Sequence, residues 1–385
     1  MEQSPWGAVP TPQPLPFVPN HPRAGTAAVE PGPSLGPAAW PRRQLVVGAT
    51  IFALVAVAGI FYAKWWPYSH KLLTILASHA YPGKSLFAAA GAPGAAPTWH
   101  ATWTFVVDYG NDVYVALAAA ILIGAGVETL LPTTAVVRLR RPDRLRSSLW
   151  GGVLALPCLM CTCCGAPVTR SMRRAGAPVA AALSFWLGNP LLNPAVLIFL
   201  ALLLPWQYTA VRILIGGLLV FAVAPLVAKL APHGASVEPL PAASPPELSL
   251  RTTPARYLRA VLRLVLVLVP EYFVVVLAIG AFRGWLFPFG HSAASWGILA
   301  GLVAAAAGAL LVIPTAAEIP IIVGLLAIGF SPLVTGALLI SLPALSLPSM
   351  VMVGRALSVR VTATMCLAVV ACALAAGGLV VALAR

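Results

Sequence analysis

Four of the chain's six cysteines, Cys158, Cys161, Cys163 and Cys164, fall within seven residues of an otherwise apolar segment. Thiolates are soft ligands that suit Cu(I), Zn(II) and sulfur clusters, and trivalent arsenic and mercury share that preference. On an unbroken helix the spacing i, i+3, i+6 would set Cys158, Cys161 and Cys164 on one face and send Cys163 elsewhere. Helix breakers surround them at Pro157, Gly165 and Pro167. Three other uses stay open. Cysteine packs well as a small apolar residue. Cys161 and Cys163 could form a redox pair. A permanent zinc site fits less well, because zinc ligand pairs are typically separated across a loop. No resident metal or cofactor is expected.

Other polar residues stand in apolar surroundings nearby. Asn189 and Asn193 lie four apart, beside Pro190 and Pro194. Their amides could contact a bound solute or satisfy carbonyls that the prolines leave free. Glu318 lies between Pro314 and Pro320, and Glu271 follows Pro270. A carboxyl placed in hydrocarbon costs about 2.5–3.5 kcal/mol on insertion scales, so each is a candidate for proton exchange during a working cycle. Capping a half-helix N-terminus is the alternative for Glu318. Glu128 sits near a helix end, where snorkelling or pairing with the basic cluster 138–146 suffices. Arg170, Arg173 and Arg174 read as topology anchors.

The elements that must hold these residues are membrane helices. Of the 385 residues 60% are hydrophobic and 9% charged, against about a quarter charged in a soluble chain. The lipid bilayer is therefore the first partner. The formal net charge of +14 comes from short basic clusters between apolar runs, without interleaved aromatics. Positive-inside loops account for it better than nucleic acid does. The cysteines do not space like a secreted disulfide framework. No G-x-x-x-x-G-K-[ST] phosphate loop occurs, which argues against ATP-driven pumping by this chain alone.

In chain order, 1–41 reads as a disordered proline-rich tail, with no signal-peptide core before Leu45. Region 42–111 holds a first membrane helix, Leu45–Tyr62, followed by Trp65, Trp66 and Tyr68 as an interfacial belt, and then an extramembrane loop. A second helix begins at Asp112. Arg138 to Arg146 carries five arginines in nine residues and marks the cytoplasm, as do Arg170–Arg174. Both flank a segment of under twenty residues, which favours a re-entrant hairpin over a crossing. Crossings follow at Pro178–Leu204 and Val211–Leu230. A cytoplasmic linker, 231–258, separates the first repeat (112–230) from the second (259–385). The second reads Arg263–Phe282, an external loop, an apolar stretch to Phe330 interrupted at Pro314 and Pro320, and two crossings, Pro332–Val353 and Val361–Leu383. The N-terminus is expected in the cytoplasm.

The halves repeat one another. From Pro167, Gly176, Pro178, Pro190 and Pro194 lie 9, 11, 23 and 27 residues on; from Pro320, Gly329, Pro332, Pro343 and Pro348 lie 9, 12, 23 and 28 on. Three crossings per half invert the second relative to the first, a transporter architecture in which broken helices meet near the midplane. The expected fold is an all-α polytopic membrane protein, an inverted-repeat bundle of about seven crossings plus two broken or re-entrant hairpins (eight to ten hydrophobic segments).

Cys161-Thr162-Cys163-Cys164-Gly165-Ala166-Pro167, the basic turn RSMRRAGAP, and Asn189-Pro190-Leu191-Leu192-Asn193-Pro194 resemble the motifs of the predicted permease family that includes organoarsenical efflux permeases. The resemblance is best over 150–200 and extends from about 110 to the C-terminus. Cys164 departs from it, standing where the family motif has glycine. The resemblance implies a permease of the plasma (inner) membrane, not an enzyme, that exports a small, thiophilic, organoarsenical-like solute by alternating access. A membrane thiol–disulfide protein, and a membrane subunit anchoring a partner, are the alternatives from other classes. A second copy of the chain or another protein is an open partner.

Overall fold

The computed structural model describes residues 41–82, 96–131, 144–231, 252–286, 297–327 and 329–384, and among them every regular element is helical. The proline-rich tail, Arg138–Arg141, most of the 231–258 linker and, of the external loop expected at Gly284–Ser295, residues 287–295 lie outside the described residues; 284–286 still belong to a helix.

Helix α1, Arg42–Ser78, comes first, then α2, Trp99–Thr129. At 1.5 Å rise per residue, the 37 residues of α1 far exceed the ~30 Å of a bilayer core. The expected first helix, Leu45–Tyr62, thus continues for sixteen more residues, and α2 starts thirteen residues before Asp112. Trp65 and Trp66 are therefore within a continuous helix and not in a segment that follows it. They adjoin a π-helical turn, Phe61–Trp65, a local widening often found at functional sites.

Two short helices follow, α3 (Arg144–Ala155) and α4 (Thr162–Arg174), then α5 (Val179–Leu191), α6 (Pro194–Leu203) and α7 (Trp206–Leu230). The second half gives α8 (Thr253–Leu286), α9 (Ile298–Leu310), α10 (Glu318–Ala327), α11 (Pro332–Ala344), α12 (Leu347–Leu357) and α13 (Val359–Leu383). Element for element, α2–α7 correspond to α8–α13. Helices α7 and α8 begin earlier than Val211 and Arg263. Among the described residues six stretches are long and apolar enough to cross a membrane, seven if the α11–α12 pair, bent by 51°, is taken as one span. The short pairs α3–α4 and α9–α10 are the two hairpins.

Side-chain pairings fix the directions. Ser148 meets Ser184, and a Cβ at Gly151 would overlap the Ala181 backbone while one at Gly188 would touch Ala155, so α3 and α5 run parallel. Trp186 Nε1 donates to Thr162 O at 3.2 Å, and Arg173 reaches Ala177 O, so α4 and α5 run antiparallel. Helices α3 and α4 must then be antiparallel, which places Arg144 and Arg174 at the same end. Gly301 against Leu333 and Gly308 against Ser341 give α9 and α11 the same parallel relation. Helices α2 and α8, equivalent in the two halves, run antiparallel: Tyr272 Oη donates to Tyr109 Oη, and Arg263 pairs with Glu128. The second repeat is inverted.

The breaks differ from the expectation. Gly165 and Pro167 lie inside α4; the chain departs from helix at Leu159, with φ 52°, and Cys161 is the N-cap of α4. Pro157 lies in a 3₁₀ turn just before. Pro190 and Pro343 lie inside α5 and α11, and the bends follow them at Leu192–Asn193 and Leu345–Ser346. Pro194 opens α6, Pro314 lies in the non-helical stretch 311–317, and Pro320 lies in the first turn of α10. A proline in a helix withholds only the bond to the carbonyl four residues back, so the helix ends where that loss is compounded and not at the ring itself. Gly176 and Gly329, with φ of 97° and 89°, end α4 and α10 alike, as glycine at a helix C-terminus does.

Candidate functional site at the hairpin tips

The tips of the two hairpins and the bends of the two broken helices converge. Cys161, Thr162, Pro190, Ile313, Pro314, Thr315, Glu318, Leu342 and Pro343 line one narrow chamber. Thr162 Oγ1 lies 3.3 Å from Ser346 Oγ, tying the first hairpin tip to the bend of the second repeat.

On the first tip, Cys161, Cys163 and Cys164 are buried, and their sulfurs all lie within 4.8 Å of one another. The Sγ atoms of Cys161 and Cys163 are 3.0 Å apart, and Tyr109 Oη is 3.2 Å from Cys163 Sγ. Tyr272 Oη donates to Tyr109 Oη at 2.8 Å, so the tyrosine pair links the thiols to α8. The three thiols surround the start of α4, where unpaired N–H groups present the positive end of the helix dipole. Pro167 has no N–H to offer the Cys163 carbonyl. Cys158 is left out: it is half-buried and its Sγ donates to Leu154 O at 3.3 Å. The shared face expected for Cys158, Cys161 and Cys164 fails because the chain is not helical between them.

On the second tip Glu318 is 1% exposed. Arg212 Nη2 donates to its Oε1 at 3.2 Å, and Oε2 has no hydrogen-bond partner. Arg212, on α7, is the residue sequence reading missed. It is fully buried and donates to the carbonyls of Leu191 at 2.9 Å, Pro190 at 2.8 Å, and Leu339. Pro194 withholds the helical N–H from Pro190 O, and Pro343 withholds it from Leu339 O. One guanidinium with five donors thus serves carbonyls freed by prolines in both repeats, and neutralises Glu318 as well.

The asparagines do local work. Asn193 Oδ1 caps α6, accepting from Ala195 and Val196 N–H at 3.1 and 3.3 Å, and Asn189 Nδ2 donates to Phe185 O at 2.7 Å. Asn189 Oδ1 and Asn193 Nδ2 remain buried without partners. Glu271 stands apart from the chamber, 3.5 Å from Arg355 Nη1. Glu128 pairs with Arg263, accepts from Ser171 Oγ at 2.9 Å and lies 3.8 Å from Arg174 Nε.

Lys64 was also missed. Its π-helical turn carries it to the second tip, where Nζ donates to Thr315 Oγ1 at 3.0 Å. Beside it Trp65 Nε1 donates to Pro157 O at 3.0 Å, at the foot of the first tip. A lone cation in an apolar run is the only signal that would have flagged Lys64 or Arg212.

Residues 99–382 match a family described as predicted permease. The chain is similar to UPF0718 protein YraQ of Escherichia coli (strain K12), 36% identical over 310 residues, covering 80% of this chain and 87% of that protein. No solved structure matches the chain.

Proposed function

We propose that this chain, which belongs to the predicted permease family, exports a small thiophilic solute of the trivalent organoarsenical kind across the plasma membrane by alternating access. The observation that carries this reading is the trio Cys161, Cys163 and Cys164, buried and mutually within 4.8 Å, at the junction of two oppositely inserted hairpins. Two thiols take the cargo at a time. A third ligand would trap it, and turnover needs release. Asn189 Oδ1 and Asn193 Nδ2 are the free polar atoms nearest the bends, available to the cargo's remaining groups. Glu318, with one unpartnered carboxylate oxygen, exchanges a proton on the other side of the chamber; Glu271, away from the chamber and beside Arg355, is the second candidate for proton exchange. Proton return to the sulfurs accompanies release. The helix ends bearing Arg42, Arg144 and Arg174 face the cytoplasm by the positive-inside rule, and the N-terminus lies there with them.

The test is survival of cells expressing the parent or the Cys161→Ser/Cys163→Ser variant on methylarsenite, mercury and copper salts. The parent should protect against methylarsenite, and the variant should insert equally well and give no protection. Equal protection by both would reduce the thiols to packing residues. Protection against none of the compounds would remove the thiophilic cargo and leave only the permease.

A further inference from the structure

Helix α1 precedes the region matched by the family, yet it builds a second cavity. This space, about 400 Å³, is lined by Lys64, Tyr68, Lys71, Tyr81, Asp112 and Thr315, among others. Phe52 and Gly59 of α1 adjoin Gly126 and Ala119 of α2, so α1 and α2 run antiparallel. Lys71 and Tyr81 therefore lie towards the Trp99 end of the bundle, away from Arg174. Pro314 and Thr315 line both this cavity and the thiol chamber, so the space is a vestibule whose inner wall is the second hairpin tip.

Its charge is unusual for such a place. Lys64 is 7% exposed, and its ammonium sits 5.7 Å from the centre of the Tyr68 ring, with Lys71 Nζ 5.9 Å from the same ring. Lys71 also lies 5.5 Å from the Tyr81 ring. Among the described residues neither lysine has a carboxylate within 4.0 Å; Asp112 is exposed at the rim. Two ammoniums lie within 6 Å of the centre of one tyrosine ring, one of them buried and held by a single neutral hydroxyl, and among the described residues Asp112 is the one carboxylate in the lining, so the cavity wall carries an excess of positive charge. Burying a charge without a counter-charge is unfavourable, and an anion in the vestibule would offset the excess.

We propose that the vestibule binds a small organic anion, with its charged group on Lys64 Nζ and Thr315 Oγ1, Lys71 alongside, and its apolar body between Tyr68 and Tyr81. None of the three thiols lines this cavity. The probe is phenylphosphonate, with neutral benzamide as the control, titrated calorimetrically into the full chain in lipid nanodiscs. Phenylphosphonate should bind saturably and benzamide should not. Lys64→Met, checked for folding by size exclusion, should weaken binding about tenfold or more. Thr315→Val, which keeps the ammonium, should weaken it about threefold to tenfold. Cys161→Ser/Cys163→Ser should bind as the parent does. No saturable binding to the parent, equal binding by benzamide, or undiminished binding by Lys64→Met would each overturn the proposal. So would loss of binding in the serine variant, which would move the anion to the thiol chamber.

Discussion

The two hairpin tips occupy equivalent places in an inverted repeat and carry opposite chemistry. The first presents three thiols around a helix N-terminus and no carboxylate. The second presents Glu318 with its arginine partner, a threonine and no sulfur. Pseudo-symmetry therefore builds the frame twice but the ligands once. On the function proposed above the first tip holds a soft centre and the second moves charge; both border one chamber. Arg212 shows how closely they are joined. It belongs to the first repeat, yet it reaches Glu318 and Leu339 O in the second. A shift of either hairpin must disturb its contacts.

Removing that joint should have the largest effect. Arg212→Met strands Glu318 and three carbonyls, and breaking a buried pair in this way costs about 3–5 kcal/mol. The expected outcome is a large fall in melting temperature and in folded yield. Adding Glu318→Gln should recover part of the loss, because the stranded charge goes with it; no recovery in the double variant would mean the carbonyls dominate. Glu318→Gln alone sharpens the contrast between the tips. It should leave cargo binding intact and flatten the pH dependence of transport in membrane vesicles, whereas a parallel loss of binding would put cargo on the second tip. A smaller effect is expected from Tyr109→Phe, which removes the hydroxyl beside Cys163 and should weaken cargo binding about threefold to tenfold with little change in stability. The mildest change is topological. Single cysteines at Arg144 and Arg174, in a cysteine-free background, should both resist an impermeant external thiol reagent; labelling of only one would break the hairpin. These ends serve better than Ser147 or Ser171, which are 2% and 0% exposed.

Much of this frame was legible in the residues. Gly176 with Gly329, Pro178 with Pro332, and Pro190 with Pro343 mark equivalent turns and bends, because glycine and proline act on the backbone directly. The clustered arginines on both sides of the cysteines favoured a hairpin over a crossing, and α3 and α4 run antiparallel. The break itself was not legible. It falls at Leu159, a buried apolar residue at positive φ, and no local preference announces that. Cys158 was drawn into the site because helical spacing grouped it with Cys161 and Cys164, and the breakers at Pro157, Gly165 and Pro167 did not say where between them the helix stops. Lys64 and Arg212 stayed hidden because one cation barely changes the hydropathy of a long apolar run. Their partners, Thr315 and Glu318, lie 251 and 106 residues away, a separation that only the folded bundle resolves.

The central claim is that the first tip ligates the cargo through sulfur. X-ray absorption at the arsenic edge, on the purified chain loaded with methylarsenite, reads this directly. Two sulfur neighbours per arsenic are expected in the parent and in Cys158→Ser, and at most one in Cys161→Ser/Cys163→Ser, where Cys164 remains. Arsenic with no sulfur neighbour in the parent, or with the same sulfur shell in the double serine variant, would contradict that claim.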